Sequence, residues 1–394
     1  MLPALARAET SDSAIDAGLA PHAGQARVRN VEAFAVPKAI FVRVTADEGT
    51  TGWGEAGHSG GPLVAAVVRN VLAERVIGQD VSAAEPLWSR MFYEADELGP
   101  GGLASQAIAG VDCALWDLRG KLLGLPVWAL LGGKFRDEIP LYGSFTRGHF
   151  KTPLAAARMG EQLVDEGFRA LKFRLDIRDQ DQHRRDGKDP QDDPAAPFVG
   201  EIRNAVGAEV ALYVDANNGY SPARAIEVGH MLAERYDVSL FEEPVAAYHY
   251  QSLARVADAL PIPVAAGEHE YTRWQFRDLI LQGRVAVLNP DASKACGLTE
   301  VKKVAVLAET FDLPISVHNA RPTLATAAHA HFVASTPCAH RLQEHPGRAR
   351  LAELWSFFEH PLAPEPNGTL RVPDAPGLGL VVNERAVRNA AEQS

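Results

Sequence analysis

Three acidic residues recur along the chain at nearly equal intervals, each after a short apolar run. Asp215 ends VALYVD, Glu242 follows VSLF and Glu268 follows PVAAG, with separations of 27 and 26 residues. Carboxylates that follow successive strands of a parallel barrel lie side by side on one rim. Three of them would repel one another unless a divalent cation neutralised them, and ligands that are all oxygen favour Mg²⁺. The spacing therefore predicts one Mg²⁺ site, although each carboxylate alone could be a helix cap or an ion-pair partner.

The series continues with Asp291, His318 and Glu344, after VAVLNP, PISV and HRLQ. Asp291 and His318 would stand on adjacent strands. A carboxylate beside an imidazole fixes its tautomer and raises its basicity, which makes a general base. The alternative for His318 is a histidine satisfied in the core.

Two cations share the run ALKFRL (170–175). Lys172 and Arg174 lie two residues apart and so point to the same face of a strand. Cations there can hold a substrate carboxylate or stabilise developing negative charge. An ion pair with the metal carboxylates is the structural alternative.

Two patterns of apolar residues predict the elements that position these side chains. Residues 27–56 alternate as antiparallel strands do, and a stripe from Ile108 to Leu122 has helical spacing and is stopped by Gly124 and Pro126. After residue 137, apolar runs alternate with helix candidates, which predicts a buried parallel sheet and a (β/α)8-type barrel. An open doubly wound sheet is disfavoured because no glycine-rich phosphate loop follows the first run. The predicted strands are 140–145, 170–175, 210–216, 238–244, 263–269, 285–291, 314–319 and 340–344, and the helix candidates include 221–235, 248–260, 298–312 and 324–335.

Composition excludes several classes of protein. The 394 residues carry a net charge of −11 without a basic block, which argues against nucleic acid or an anionic membrane as partners. No apolar run is long enough to span a bilayer. Three widely spaced cysteines form neither a zinc pattern nor a disulfide framework, which favours a cytoplasmic location.

Several stretches resemble the enolase superfamily, mandelate racemase/muconate lactonizing enzyme group, over about residues 27–389. They are AIAGVDCALWDLRGKLLGLPVWALLGG (107–133), VDANNGY (214–220), FEEP (241–244), GEHEYTRW (267–274) and NPDASKACGL (289–298). The resemblance implies an α/β fold: a (β/α)7β modified TIM barrel with an N-terminal α+β capping domain, and a homo-oligomer. We expect a loose leader at 1–25, the capping domain at 26–136, the barrel at 137–353 and a segment returning to the capping domain at 354–394. A charged insert at 177–196 follows the second barrel strand.

The resemblance also implies roles. Asp215, Glu242 and Glu268 would bind Mg²⁺, and Asp291 with His318 would form the base. The last-strand residue that stabilises the intermediate would be Glu344, with Gln343 as the competing alignment. Family chemistry begins with removal of the proton α to a carboxylate, and Lys172 would help to stabilise the resulting enediolate.

One position separates members of this group. Racemases carry Lys-x-Lys on the second strand, whereas this chain has Lys172-Phe173-Arg174, and a guanidinium does not readily lose a proton. Lactonising and dipeptide-epimerising members place a lysine where Asp291 stands, and Lys294 is interpreted as structural. We therefore expect an acid-sugar dehydratase, a hydro-lyase acting on an aldonate or aldarate. A racemase or epimerase, and a non-catalytic binding protein of the same fold, are the alternatives.

Further residues are candidate substrate contacts. GEHEYTRW and the insert look like rhamnonate-dehydratase-type members, which draws attention to His269 beside Glu268. Asn217 lies in VDANNGY, and His58 lies in a glycine-rich segment of the capping domain. Arg174 completes this set.

Overall fold

The computed structural model describes residues 26–99, 101–177, 193–348 and 351–393. The predicted leader and residues 178–192 of the charged insert lie outside the described residues. Within the described segments, no helix combines the length and the apolar character needed to cross a bilayer.

The N-terminal part is a three-stranded antiparallel sheet covered by helices. Its strands are β1 (Val28–Val36), β2 (Ala39–Ala46) and β3 (Thr51–Glu55), in the order β1-β2-β3. The helices are α1 (Gly61–Val67), α2 (Ala73–Val76), α3 (Ala84–Glu94), α4 (Leu103–Leu123) and α5 (Val127–Leu130), with a π-helical turn at Val68–Leu72 and a 3-10 turn at Asp96–Leu98. The predicted antiparallel strands and helical stripe are confirmed.

Helix α4 holds the sheet close to the barrel. It ends at Gly124, whose left-handed conformation (φ 67°) closes the last turn, as the sequence predicts. Strand β3 lies so near to α4 that a Cβ on Gly54 would stand 2.3 Å from the carbonyl oxygen of Gly110. This close approach positions Glu55, the last residue of β3, at the boundary between the sheet and the barrel.

The second part is a curled parallel sheet with helices on its outside. Its strands β4 to β10 are hydrogen-bonded in the order β10-β4-β5-β6-β7-β8-β9. Their bounds are β4 (Glu138–Thr146), β5 (Ala170–Arg174), β6 (Ala211–Asp215), β7 (Val238–Glu242), β8 (Val264–Ala266), β9 (Val287–Leu288) and β10 (Gln343–His345). The predicted α/β class, a modified TIM barrel with an α+β capping domain, is confirmed.

The outer helices begin at capping residues that the sequence supplies. The side chains of Thr152, Ser221 and Thr272 each accept a hydrogen bond from a backbone N–H in the first turn of the helix that follows. The helices are α6 (Pro153–Asp165), α7 (Ala195–Val206), α8 (Pro222–Tyr236), α9 (Tyr250–Ala259), α10 (Arg273–Asp278), α11 (Leu298–Thr310) and α12 (Leu324–Ala334), with a π-helical turn at Leu279–Gly283 and 3-10 turns at Arg147–His149 and Ala352–Phe357. The helix candidates at 221–235, 248–260, 298–312 and 324–335 are confirmed within two residues.

The seventh predicted strand differs from the prediction. PISVHN (314–319) forms a single parallel bridge, between Leu288 and Ile315, instead of a continuous ladder. Further along the segment, a side chain replaces the backbone acceptor that a strand would use: Val317 N donates to Gln343 Oε1 at 2.7 Å. The segment still fills the gap between β9 and β10, and His318 follows it at the same end as the other predicted site residues.

The C-terminal residues contact both parts. Strand β11 (Thr369–Arg371) pairs antiparallel with β4, and helix α13 (Glu384–Glu392) packs on β1. Arg388 Nη2 lies 3.1 Å from Glu32 Oε1 on that strand.

Candidate active site

The three predicted metal ligands lie at the carboxyl ends of adjacent strands. Asp215 and Glu242 are the last residues of β6 and β7 and pair in register. Glu268 follows β8 after Gly267, whose φ of 141° and close approach to Asn289 N favour glycine. All three carboxylates are buried. The structure therefore brings them to one rim, as the interval of 26–27 residues predicts.

Lys172 lies among carboxylates inside the barrel. Its Nζ is 2.8 Å from Glu242 Oε1 and 3.1 Å from Glu344 Oε1. Burial acts to lower the pKa of Lys172, but these two carboxylates outweigh it and raise the pKa well above the ordinary value. Lys172 is therefore a fixed positive charge, not a proton acceptor.

Neighbouring residues of β10 face opposite ways, which separates Glu344 from Gln343. Glu344 points into the barrel, contacts Lys172 and accepts a hydrogen bond from Asn319 N at 2.9 Å. Gln343 points outward and bonds backbone groups, including Ile315 O. Of the two alternatives that the sequence left open, Glu344 is the one beside the other candidate residues.

The carboxylate set fits a hard divalent cation. Burial raises the pKa of Glu242 well above its ordinary value, and that of Asp215 to about 7, against the opposing charge of Lys172. Glu242 Oε2 is also buried without a hydrogen-bond partner. Buried carboxylates with an unsatisfied oxygen and too little positive charge are the environment that a bound cation stabilises. Donor atoms of Glu243, Glu268 and His269 lie within 4.8 Å of one another and form a competing group.

His318 is held between two carboxylates. Its Nδ1 lies 2.8 Å from Asp291 Oδ2 and its Nε2 lies 2.7 Å from Glu268 Oε2. Burial lowers the pKa of His318, but Glu268 and Asp291 outweigh burial and raise it to about 10. The predicted neighbours Asp291 and His318 are thus in contact, and the other ring nitrogen of His318 contacts Glu268, one of the predicted metal ligands.

Asp291 has further partners that the sequence analysis missed. Its Oδ1 accepts hydrogen bonds from Ser293 N (2.8 Å) and Ser293 Oγ (2.7 Å), and His329 Nε2 lies 3.2 Å away. His329 is on α12, and its Nε2 accepts from Ala292 N at 2.9 Å. The two hydrogen bonds from Ser293 fix the orientation of the carboxylate, whereas His329 Nε2 is the acceptor for Ala292 N and does not donate to Asp291 through that atom. Ser293 was within reach of sequence reasoning, since Asp-x-Ser commonly forms such a local turn, whereas nothing in the sequence pointed to His329.

Arg174 is tied to the wall of the barrel. Its Nε lies 2.5 Å from Asp176 Oδ1 and 3.2 Å from Thr146 Oγ1. Burial lowers the pKa of Arg174, but Asp176 and then Asp215 outweigh it and raise the pKa further. Arg174 therefore stays protonated and remains within electrostatic reach of the predicted metal ligands.

The other candidate contacts lie around Glu268. Asn217 N donates to Asp215 Oδ1 at 2.6 Å, and its Nδ2 lies 3.4 Å from Glu268 Oε1. His269 Nδ1 is 2.7 Å from Glu243 Oε1, which orients this half-buried ring. His58 is exposed to solvent, and the positive charge of Arg321 acts to lower its pKa. The capping domain thus brings His58 close to the barrel residues.

A buried ion pair joins the capping sheet to the loop after His318. Arg321 Nε lies 2.8 Å from Glu55 Oε1, and Glu55 Oε2 accepts from Ala325 N at 3.0 Å. Both side chains are almost fully buried. The sequence analysis did not identify this pair, which positions the segment that carries His318.

Two family models match the two parts of the chain separately. Residues 30–132 match the family described as "Mandelate racemase / muconate lactonizing enzyme, N-terminal domain", and residues 155–386 match "Enolase C-terminal domain-like". The chain is 31% identical to a D-galactarolactone cycloisomerase of Agrobacterium fabrum, over 88% of this chain and 90% of that protein. It is 33% identical to a D-galactonate dehydratase of Ralstonia pickettii, over 91% and 92%.

A solved structure has the same arrangement. It is a mandelate racemase/muconate lactonizing protein from Paracoccus denitrificans complexed with magnesium, 34% identical, with a TM-score of 0.85. The similarity covers 92% of this chain and 96% of that one.

Proposed function

The chain belongs to the mandelate racemase/muconate lactonizing enzyme family of the enolase superfamily, and on this premise we propose that it is a Mg²⁺-dependent acid-sugar dehydratase. The observation that carries the proposal is the position of His318, fixed by Asp291 on one side and directed at Glu268 on the other. A D-galactonate dehydratase among the relatives and the magnesium complex among the solved structures support the substrate class and the cofactor.

We propose that Asp215, Glu242 and Glu268 hold the Mg²⁺. When bound, the ion supplies positive charge that stabilises the substrate carboxylate as it becomes an enediolate. The competing group of Glu243 and His269 with Glu268 is less suitable, because Glu243 Oε1 and His269 Nδ1 already bond one another at 2.7 Å.

His318 Nε2 takes the proton from C2 of the sugar acid. Asp291 holds Nδ1 and stabilises the imidazolium that forms. Glu268 raises the pKa of His318 and thereby favours the protonated imidazole. The imidazole can accept the C2 proton only when the carboxylate of Glu268 binds another group instead.

Lys172 holds a permanent charge close to the reaction centre. Glu242 and Glu344 fix its ammonium, so it stabilises the enediolate without rearranging. The C3–O bond then breaks and the hydroxyl departs as water with one proton, which balances the proton that His318 removed from C2, and the enol that remains ketonises to the 2-keto-3-deoxy acid. We place the reaction among the carbon–oxygen hydro-lyases.

Arg174 argues against a racemase. A racemase must add or remove a proton on the second face of C2, which needs a second base. Arg174 cannot be that base, because Asp176 keeps its guanidinium protonated. A cycloisomerase acting on a sugar-acid lactone is the second candidate, because one relative is a D-galactarolactone cycloisomerase. Incubation with a library of acid sugars, with and without Mg²⁺, tests the proposal: a 2-keto acid should form from at least one sugar acid, and only with the metal.

A further inference from the structure

Lys294, for which the sequence suggested a structural role, is a mostly buried cation without a hydrogen-bond partner among the described residues. Its side chain is 9% exposed, and among the described residues no acceptor lies within hydrogen-bonding distance of its Nζ. The nearest carboxylate oxygen is Glu268 Oε1, at 4.0 Å. Lys294 Nζ is not fully enclosed and keeps some contact with solvent, so an anionic ligand can reach the ammonium and neutralise it there.

The other cations of the site are already paired. Lys172 bonds Glu242 and Glu344, Arg174 bonds Asp176, and Arg321 bonds Glu55. Glu268 does not complete the shell of Lys294, because its nearest oxygen lies 4.0 Å from Nζ, beyond hydrogen-bonding distance. Lys294 is therefore the site cation whose charge the described residues leave least compensated.

The position of Lys294 in the barrel indicates where its ligand would lie. Lys294 N bonds Asp291 O at 3.0 Å, so the residue lies in the turn after the base carboxylate. This turn follows β9, which is four positions around the barrel from β5 and Arg174 in either direction, counting the Ile315 bridge as the seventh strand. The ammonium therefore lies on the side of the barrel opposite β5 and Arg174, 4.0 Å from Glu268 Oε1 and in the turn after Asp291.

We propose that Lys294 binds a second carboxylate of the substrate, so that the preferred substrate is a sugar diacid and not the corresponding monoacid. This inference rests on the proposed function, in which the first carboxylate lies beside Asp215, Glu242 and Glu268. The remainder of the sugar then extends from the C2 atom across the rim, away from Arg174 and toward Lys294. A monoacid presents a neutral hydroxyl there and leaves the ammonium uncompensated.

Matched pairs of substrates isolate this contact. Aldonates and aldarates of the same configuration, such as galactonate with galactarate and gluconate with glucarate, differ only at the terminal carbon. Their binding should be measured by calorimetry with Mg²⁺ present in a His318→Asn host, which does not consume the ligand. The variants to compare in that host are Lys294→Gln, Lys294→Arg and Lys38→Gln, the last removing the same charge from the surface, where Lys38 is 58% exposed.

In the host itself, at least one diacid should bind about tenfold more tightly than its monoacid. Lys294→Gln should remove that difference and leave monoacid binding nearly unchanged, with both ligands measured at saturating Mg²⁺ because the charge of Lys294 also acts on Glu268. Lys294→Arg should keep part of the difference, and Lys38→Gln all of it.

Three results would overturn the inference: equal affinity for both members of every pair, equal weakening of both by Lys294→Gln, or no effect of that variant. Binding does not depend on the reaction that follows. The diacid preference can therefore fail while a 2-keto acid still forms, and it can hold if the reaction is not a dehydration.

Discussion

His318 Nε2 contacts Glu268 Oε2 at 2.7 Å, so the proposed base touches one of the proposed metal ligands. The contact places proton abstraction directly beside the carboxylates that would bind Mg²⁺. It also explains why the pKa of His318 is raised to about 10: burial alone would lower it, and Glu268 is the largest opposing influence.

Glu242→Gln should weaken Mg²⁺ binding by at least on the order of a hundredfold, because it removes a ligand charge. The adjacent Glu243→Gln is the matched control, since Glu243 is also buried but is bonded to His269 and Asn218. Calorimetric titration with Mg²⁺ measures both. A larger loss in Glu243→Gln would favour the group of Glu243, Glu268 and His269 as the metal site.

His318→Asn should lower kcat by about 10²–10⁴-fold with the fold intact, because general-base catalysis is worth that much. Asp291→Asn should cost less, since Asp291 only orients and tunes the imidazole. Exchange of the C2 proton with D₂O, followed by NMR, reports the same step. Wild-type exchange in His318→Asn would mean that another group is the base, and His340→Asn, at an exposed histidine, serves as the control.

Arg321→Gln should lower the free energy of unfolding by about 3–5 kcal/mol, because it leaves the buried carboxylate of Glu55 unpaired. The double variant with Glu55→Gln should lose less than the sum of the two single losses. Lys38→Gln breaks an exposed pair with Glu353 and should cost less than about 1 kcal/mol. Denaturant unfolding measures all four, and additive losses at Glu55 and Arg321 would show that the pair is not coupled.

Stability should fall on acidification partly because of His331. Burial lowers its pKa from 6.5 to about 4, so below pH 6.5 the unfolded chain takes up a proton that the folded chain does not. The contribution is complete above pH 6.5 and is lost between pH 6.5 and about 4, by at most about 3 kcal/mol. Unfolding of the wild type and His331→Asn at pH 7.5 and 4.5 tests this. An equal pH dependence in both would exclude His331 as a contributor.

The positions of the candidate residues followed from the sequence because one rule governs them: in a parallel barrel, strand ends meet at one rim. The rule needs only the number of residues between the ends of successive strands, and it predicted that Asp215, Glu242 and Glu268 lie together. It also located His318, although the run before it forms only a bridge, because a bridge and a strand leave the next residue at the same end.

Partners distant in sequence could not be found that way. Glu55 and Arg321 are 266 residues apart, and no interval relates them. Asp176 falls between the second predicted strand and the charged insert and had no predicted role, yet it has a positive φ of 47° and its carboxylate contacts Arg174. Gln343 and Glu344 are both polar, so only the observed register of β10 shows which faces the interior.

The central claim is dehydration, and NMR of a long incubation in D₂O with Mg²⁺ and a sugar acid that the protein turns over tests it most directly. We predict a 2-keto-3-deoxy acid with deuterium at C3, introduced when the enol ketonises, and no accumulation of the C2 epimer of the substrate. Lys172→Ala should slow its formation, because the fixed charge beside the enediolate is lost. Accumulation of the epimer without keto acid would contradict the account, since Arg174 or a neighbour would then be supplying a second base.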